Sequence, residues 1–185
     1  TLDPSVFEEG VTMKGEDLYT ITEGIPVVNC LFFYNQDVLD QAGVTKIPET
    51  YSEFVEACKQ ITESGNGEVY GLIEGGKQLN RLDTLARSFA AVGGGKIAPT
   101  SKVLTVDGKA PYDSAAMNEA MALMAQLVSD GSVHPDTVNI SAPEAREMFA
   151  QGQAGFLCQG MWCIPPWSQS YPDLNYGVMA VPVPD

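Results

Sequence analysis

The distribution of apolar positions switches between the two regular periods along the chain. Residues 25–34 form one apolar run, Ile25-Pro26-Val27-Val28-Asn29-Cys30-Leu31-Phe32-Phe33-Tyr34, rich in β-branched and aromatic side chains. It predicts a strand buried on both faces, as in the middle of a mostly parallel sheet. A short helix from Asn35, closed by Gly43, should follow. Thr50 with Glu53 is the pattern of a capping box opening a second helix, with Phe54, Val55, Cys58 and Ile61 on one face. Val69 to Ile73 predicts a short strand. Leu79 to Val92 has helical spacing through Leu82, Leu85, Ala86 and Phe89, and Gly93-Gly94-Gly95 ends it. Asp113 or Ser114 should cap a further helix, stopped by Gly131, whose Met117, Met121, Met124 and Val128 stripe is expected in the core. Ser141 and Glu144 repeat the capping-box pattern before a helix that runs through Phe149. Ala154 to Cys158 and Tyr176 to Val181 predict the closing strands. Residues 1–17 are acidic and carry little core-forming sequence. The alternation implies an α/β fold with helices flanking a mixed, mostly parallel sheet.

Length and charge narrow the picture. The 185 residues suit one ordinary domain, and 44% hydrophobic content argues against disorder. Ten Lys and Arg against 24 Asp and Glu give a formal net charge of −14. Such a field repels phosphate backbones and anionic lipid, so no nucleic-acid or membrane-surface partner is expected. The chain starts at Thr1, which suggests an excised piece. One histidine rules out two-histidine zinc sites. His134 before Pro135 suggests a surface or capping role. Four cysteines without a C-x-x-C pair exclude a zinc ribbon. Cys30 and Cys58 fit core positions, while Cys158 and Cys163 are either free thiols or a disulfide around a turn.

Other candidate chemistry has simpler explanations. Gly71 to Lys77 matches G-x-x-x-x-G-K, but Gln78 stands where magnesium needs Ser or Thr, and Glu74 would face the phosphates. Glu144 and Glu147 could share a helix face, although capping and solvation account for them. Asn139-Ile140-Ser141 is a glycosylation sequon by pattern only. The informative stretch is Gly160-Met161-Trp162. A tryptophan after a strand and a glycine turn can be presented outward, and its face can stack on the C–H face of a sugar. Trp167 and Tyr171 could extend that surface, or both tryptophans could pack in the core.

Three segments carry a family resemblance. Leu31-Phe32-Phe33-Tyr34-Asn35-Gln36-Asp37-Val38-Leu39 followed by Pro48-Glu49-Thr50-Tyr51-Ser52-Glu53 is the first. Met148-Phe149-Ala150-Gln151-Gly152-Gln153-Ala154-Gly155-Phe156 followed by Gly160-Met161-Trp162 is the second. Tyr176-Gly177-Val178-Met179-Ala180-Val181-Pro182 is the third. In this order and spacing the chain resembles family 1 extracellular solute-binding proteins, the maltose-binding-protein-like receptors of ABC importers. Gln36 and Tyr51 replace the family's usual Lys and Trp.

The resemblance implies a periplasmic-binding-protein-like lobe. Residues 1–28 would be the tail of the first lobe and the hinge entry, 29–182 the second lobe, and 183–185 the hinge exit. It implies capture of a carbohydrate and delivery to ABC permease subunits in the membrane, by a monomer that is extracytoplasmic, free or lipoprotein-anchored, without catalysis or cofactor. Trp162 falls on the family's sugar-stacking tryptophan, with Gly160 and Met161 shaping its turn. Asn29 lies near the hinge crossing. Asn80, Arg81 and Asp83 fall on a segment that supplies polar side chains to the sugar. A same-fold receptor for a non-sugar such as a polyamine is the alternative.

Overall fold

A computed structural model describes residues 13–19, 30–94 and 115–185. Met13–Lys14 (β1) and Asp17–Leu18 (β2) pair in a small antiparallel hairpin around Gly15, whose φ is +62°. The acidic composition of this stretch had hidden the hairpin.

The main sheet has four strands in the order β4-β5-β3-β6: Tyr70–Ile73 (β4), Ala154–Gln159 (β5), Leu31–Asn35 (β3) and Tyr176–Met179 (β6). The sheet is mixed, as expected. Three strands run one way, but β3 lies among them in the opposite sense, so β4–β5 is the parallel pair while β3 pairs antiparallel with β5 and β6. Leu31 to Tyr34 of the apolar run therefore do lie inside the sheet, with antiparallel neighbours, while residues 25–29 of the run lie outside the described residues. Outside β4, Ser132 to His134 bridges to Leu72 through Leu72 N–H to Ser132 O (3.0 Å) and His134 N–H to Leu72 O (2.9 Å).

Side-chain alternation along β3 and β5 divides the core into two layers. On one face Phe32, Phe156 and Cys158 pack with Phe54, Cys58 and Ile61 of Tyr51–Ser64 (α2), Phe89 of Leu79–Val92 (α3) and Met117 and Leu127 of Ala115–Ser129 (α4). On the other, Phe33 and Leu157 pack with Phe149 of Ala142–Ala150 (α5) and Trp167 of Ile164–Ser170 (α6). Gly71 explains the closeness of α2 to β4: a Cβ there would stand 2.4 Å from Cys58 Cα.

Local signals mostly mark the helix ends. Asn35 Oδ1 accepts from Val38 N–H (3.1 Å) to start Gln36–Ala42 (α1), and Gly43, at φ +76°, ends it. Ser141 and Glu144 form the full reciprocal box at α5. At α2, Thr50 caps Glu53 N–H, while the Glu53 carboxylate takes Glu49 N–H (2.8 Å) and Lys46 Nζ (2.7 Å). The expected caps of α4 at Asp113 and Ser114 lie outside the described residues, but Gly131, at φ +71°, stops that helix as expected.

The expected methionine stripe is off by about one position. Ala116, Met117, Ala120, Leu123 and Leu127 are buried, whereas Met121 is 50% exposed and Val128 is exposed too. The helix is apolar around much of its circumference, so hydropathy alone could not choose the face. The two small alanines lie on the side that packs inward.

Candidate ligand site

β4 and β5 are parallel, so both end at the same edge of the sheet, and antiparallel β3 begins there. In open α/β sheets the crevice outside the carboxyl ends of the strands is the usual ligand position. Here that edge gathers Glu74 after β4, Gly160 to Trp162 after β5, and Cys30 before β3.

Gly160 caps a 3-10 turn at Met161–Cys163. The Trp162 ring lies back over Gly160: a Cβ on that glycine would stand 2.2 Å from the ring. The indole is 40% exposed, and Met161 beside it is exposed as well. Cys163 then turns inward, and α6 carries Trp167 into the core at 2% exposure. Trp167 stacks on Phe149 (centroids 5.3 Å apart) and meets Phe33 edge-on (5.1 Å). It does not extend the outward aromatic surface, because the Pro-containing helix α6 faces it toward β3. The Tyr171 hydroxyl donates to the Glu147 carboxylate.

Behind the turn lies a buried polar network. Glu74 is 1% exposed. Its Oε1 accepts from Gly75 N–H (2.8 Å), Gln159 Nε2 (3.0 Å) and Arg81 Nε (3.3 Å), and its Oε2 pairs with Arg81 Nη2 (3.2 Å). Arg81 also donates to Cys158 O. Burial raises the Glu74 carboxyl, with Arg81 opposing it. Burial also works against the Arg81 charge, but Glu74 outweighs it and leaves the guanidinium more basic than usual.

The predicted site residues therefore divide. Gly160, Met161 and Trp162 form one outward turn. Arg81 is only 6% exposed and points into the network, and Asp83 pairs with Arg87 (2.8 Å). Asn80 is exposed in the first turn of α3. Asn29 lies outside the described residues. The sequence reading missed Glu74 as the partner of Arg81, and Gln159 as a second donor to Glu74. The available signal was a carboxylate between an apolar strand and Gly75-Gly76, seven residues before an arginine in the next helix.

The Gly71 to Lys77 stretch is a strand and a tight turn: a Cβ on Gly75 would meet Ala142 N at 2.3 Å. Arg81 neutralises Glu74 there. His134 caps Asp136 N–H through Nδ1 (3.2 Å), but it is buried against the Tyr70 ring rather than on the surface, and burial lowers its pKa. All four cysteines are free. Cys158 and Cys163 lie in different core layers on opposite faces of the sheet, which separates the pair considered from sequence.

Among the described residues, no group of three or more His, Cys, Asp or Glu is placed to hold a metal ion, and no helix is long and apolar enough to cross a membrane. A cavity of about 470 Å³ lies between α3, α4 and residues 131–138. Leu82, Leu85, Met124, Leu127 and Val133 give it an apolar lining.

The comparisons agree with this architecture. The family model for bacterial extracellular solute-binding protein matches residues 2–185. A putative binding protein of Brucella abortus (strain 2308) is 24% identical over 163 residues, covering 87% of this chain and 38% of that protein. An ABC transporter solute-binding protein from Thermotoga lettingae, bound with α-D-tagatose, is 29% identical with a TM-score of 0.68, covering 88% of this chain and 41% of that one. A chitin oligosaccharide binding protein is 22% identical with a TM-score of 0.70, covering 88% and 40%. Maltose-bound T. maritima MalE3 is 23% identical with a TM-score of 0.67, covering 85% and 39%. The chain thus spans about two-fifths of the length of these relatives. It belongs to the bacterial extracellular solute-binding protein family and has the periplasmic-binding-protein fold.

Proposed function

We propose that this chain supplies one wall of a carbohydrate cleft in a two-lobed extracytoplasmic receptor that delivers its ligand to an ABC importer. Residues 29–182 would be the second lobe, with 1–28 the tail of the first lobe and the hinge entry and 183–185 the hinge exit. The observation that carries the reading is the Trp162 indole, held outward over Gly160 at the carboxyl edge of the sheet. An exposed ring on a short, rigid turn can bury the C–H face of a sugar with little loss of entropy. The structural relatives bound with tagatose and with maltose, and the chitin oligosaccharide binding protein, support that class.

In this reading Trp162 and Met161 form the apolar floor, and Asn80 is the exposed polar side chain at the start of α3. Arg81 and Asp83 act by position: Arg81 holds Glu74 and the end of β5 beneath the turn. Lobe closure around the sugar excludes water, and the ligand shifts the hinge equilibrium by its differential affinity for the closed form. Stacking and hydrogen bonding suffice for capture, so the reading needs no bond cleavage or cofactor, and the family resemblance implies a receptor that acts as a monomer.

The test uses the full-length protein in thermal-shift and tryptophan-emission titrations against tagatose, maltose, chitin oligosaccharides and polyamines. A sugar that raises the melting temperature and shifts emission supports the reading. Trp162→Ala should then weaken binding roughly tenfold or more, without a matching loss of stability. A polyamine response with silent sugars, or unchanged sugar affinity in the Trp162 variant, would overturn it.

A further inference from the structure

Two cysteines meet at the same edge of the sheet. Phe32 of β3 faces Cys158 of β5 in the ladder. Cys30, two residues before Phe32, lies on the same side by the two-residue period of an extended chain, one diagonal step from Cys158. Their sulfurs are 2.7 Å apart. Cys30 is half-buried and Cys158 buried. Ser88 Oγ lies 2.8 Å from the Cys30 sulfur, and its own hydroxyl donates to Thr84 O (2.7 Å). Cys163 is on the opposite face, and Cys58 stands against Gly71 of β4.

We infer that Cys30 and Cys158 are a disulfide-forming pair, closed when the protein meets a thiol-oxidising disulfide. The more exposed Cys30 is the point of attack. Its thiolate attacks one sulfur of the oxidant disulfide and releases the other as a thiol. The Cys158 thiolate then attacks the Cys30 sulfur of the mixed disulfide and releases the second thiol. Two protein thiols are oxidised, one oxidant disulfide is reduced to two thiols, and the two protons pass to those thiols. The hydrogen bond from Cys158 favours this order, since it holds the Cys30 thiol down at about 7 against the opposing effect of burial. The bond would tie the start of β3 to β5 two residues before Gly160. It requires no particular ligand, so it stands or falls separately from the sugar reading.

The experiment treats the full-length protein with oxidised glutathione, blocks remaining thiols with N-ethylmaleimide in denaturant, and maps tryptic peptides without reduction. Trypsin separates residues 15–46, which contain Cys30, from the peptide that begins at Glu147 and holds both Cys158 and Cys163. The expected result is a dithiothreitol-sensitive link between these two peptides that persists in Cys163→Ser and disappears in Cys158→Ser. A 15–46 peptide carrying maleimide or glutathione on Cys30 in the wild type, or a link lost in Cys163→Ser, would overturn the inference.

Discussion

Arg81→Met removes a guanidinium from a buried carboxylate while leaving a side chain of comparable length. Glu74 would keep Gly75 N–H and Gln159 Nε2 on Oε1 but lose both bonds from Arg81, including the 3.2 Å pairing on Oε2. Cys158 O would lose a donor as well. Because Glu74 is 1% exposed, water cannot replace these partners freely. Breaking a buried pair by removing one member costs about 3–5 kcal/mol, chiefly from the charge left behind.

The sign of the pH dependence follows from the same burial. Desolvation already raises the folded-state Glu74 pKa above its ordinary 4.5, and Arg81 opposes that rise. Without Arg81 it rises further. A group that holds its proton more tightly in the folded state loses stability as pH rises from its unfolded value through its folded one. The deficit of the variant should therefore be larger at pH 8 than at pH 5. Urea denaturation of the full-length protein, followed by circular dichroism, measures both effects. Glu74→Gln combined with Arg81→Met should recover much of the loss, because no charge then remains buried. A deficit below about 1 kcal/mol, equal at the two pH values, would show that the pair is solvated and refute the reasoning.

Three further substitutions test other parts of the structure. Gly160→Ala puts a methyl into the Trp162 ring and should push the indole off its turn; sugar affinity, measured by titration calorimetry, should fall roughly tenfold while the fold survives. Gly71→Ala drives a Cβ into the α2 backbone at Cys58 and should cost about 1–3 kcal/mol in thermal denaturation, with little effect on ligand binding if the protein remains folded. Ser141→Ala removes the α5 cap and should cost about 1 kcal/mol, whereas Ser141→Asp should retain most of the stability.

What was legible followed from local chemistry. Asn35, Gly43, Thr50, Ser141 and Gly131 announce helix ends because capping satisfies backbone groups within a few residues. The outward turn at Trp162 was legible only as one of two readings, beside core packing, because a strand, a glycine and an aromatic ring follow one another directly. Facts set by distant partners were not legible. The direction of β3 depends on strands more than a hundred residues later, and the buried face of α4 depends on how its alanines pack. Arg81 read as a ligand contact in the sequence, and only the fold, by bringing β4, α3 and β5 together, gives it Glu74. The two tryptophans differ by five positions, yet one points out and one in, because α6 begins between them.

The placement of β3 also has a kinetic consequence. This apolar strand finds its sheet partners only in β5 and β6, about 120 residues further along the chain. Until those segments dock, Leu31 to Tyr34 has no native ladder to join. Loop closure over such a separation slows sheet assembly, and refolding of the complete chain should be governed by the docking of Ala154–Gln159 rather than by the early helices.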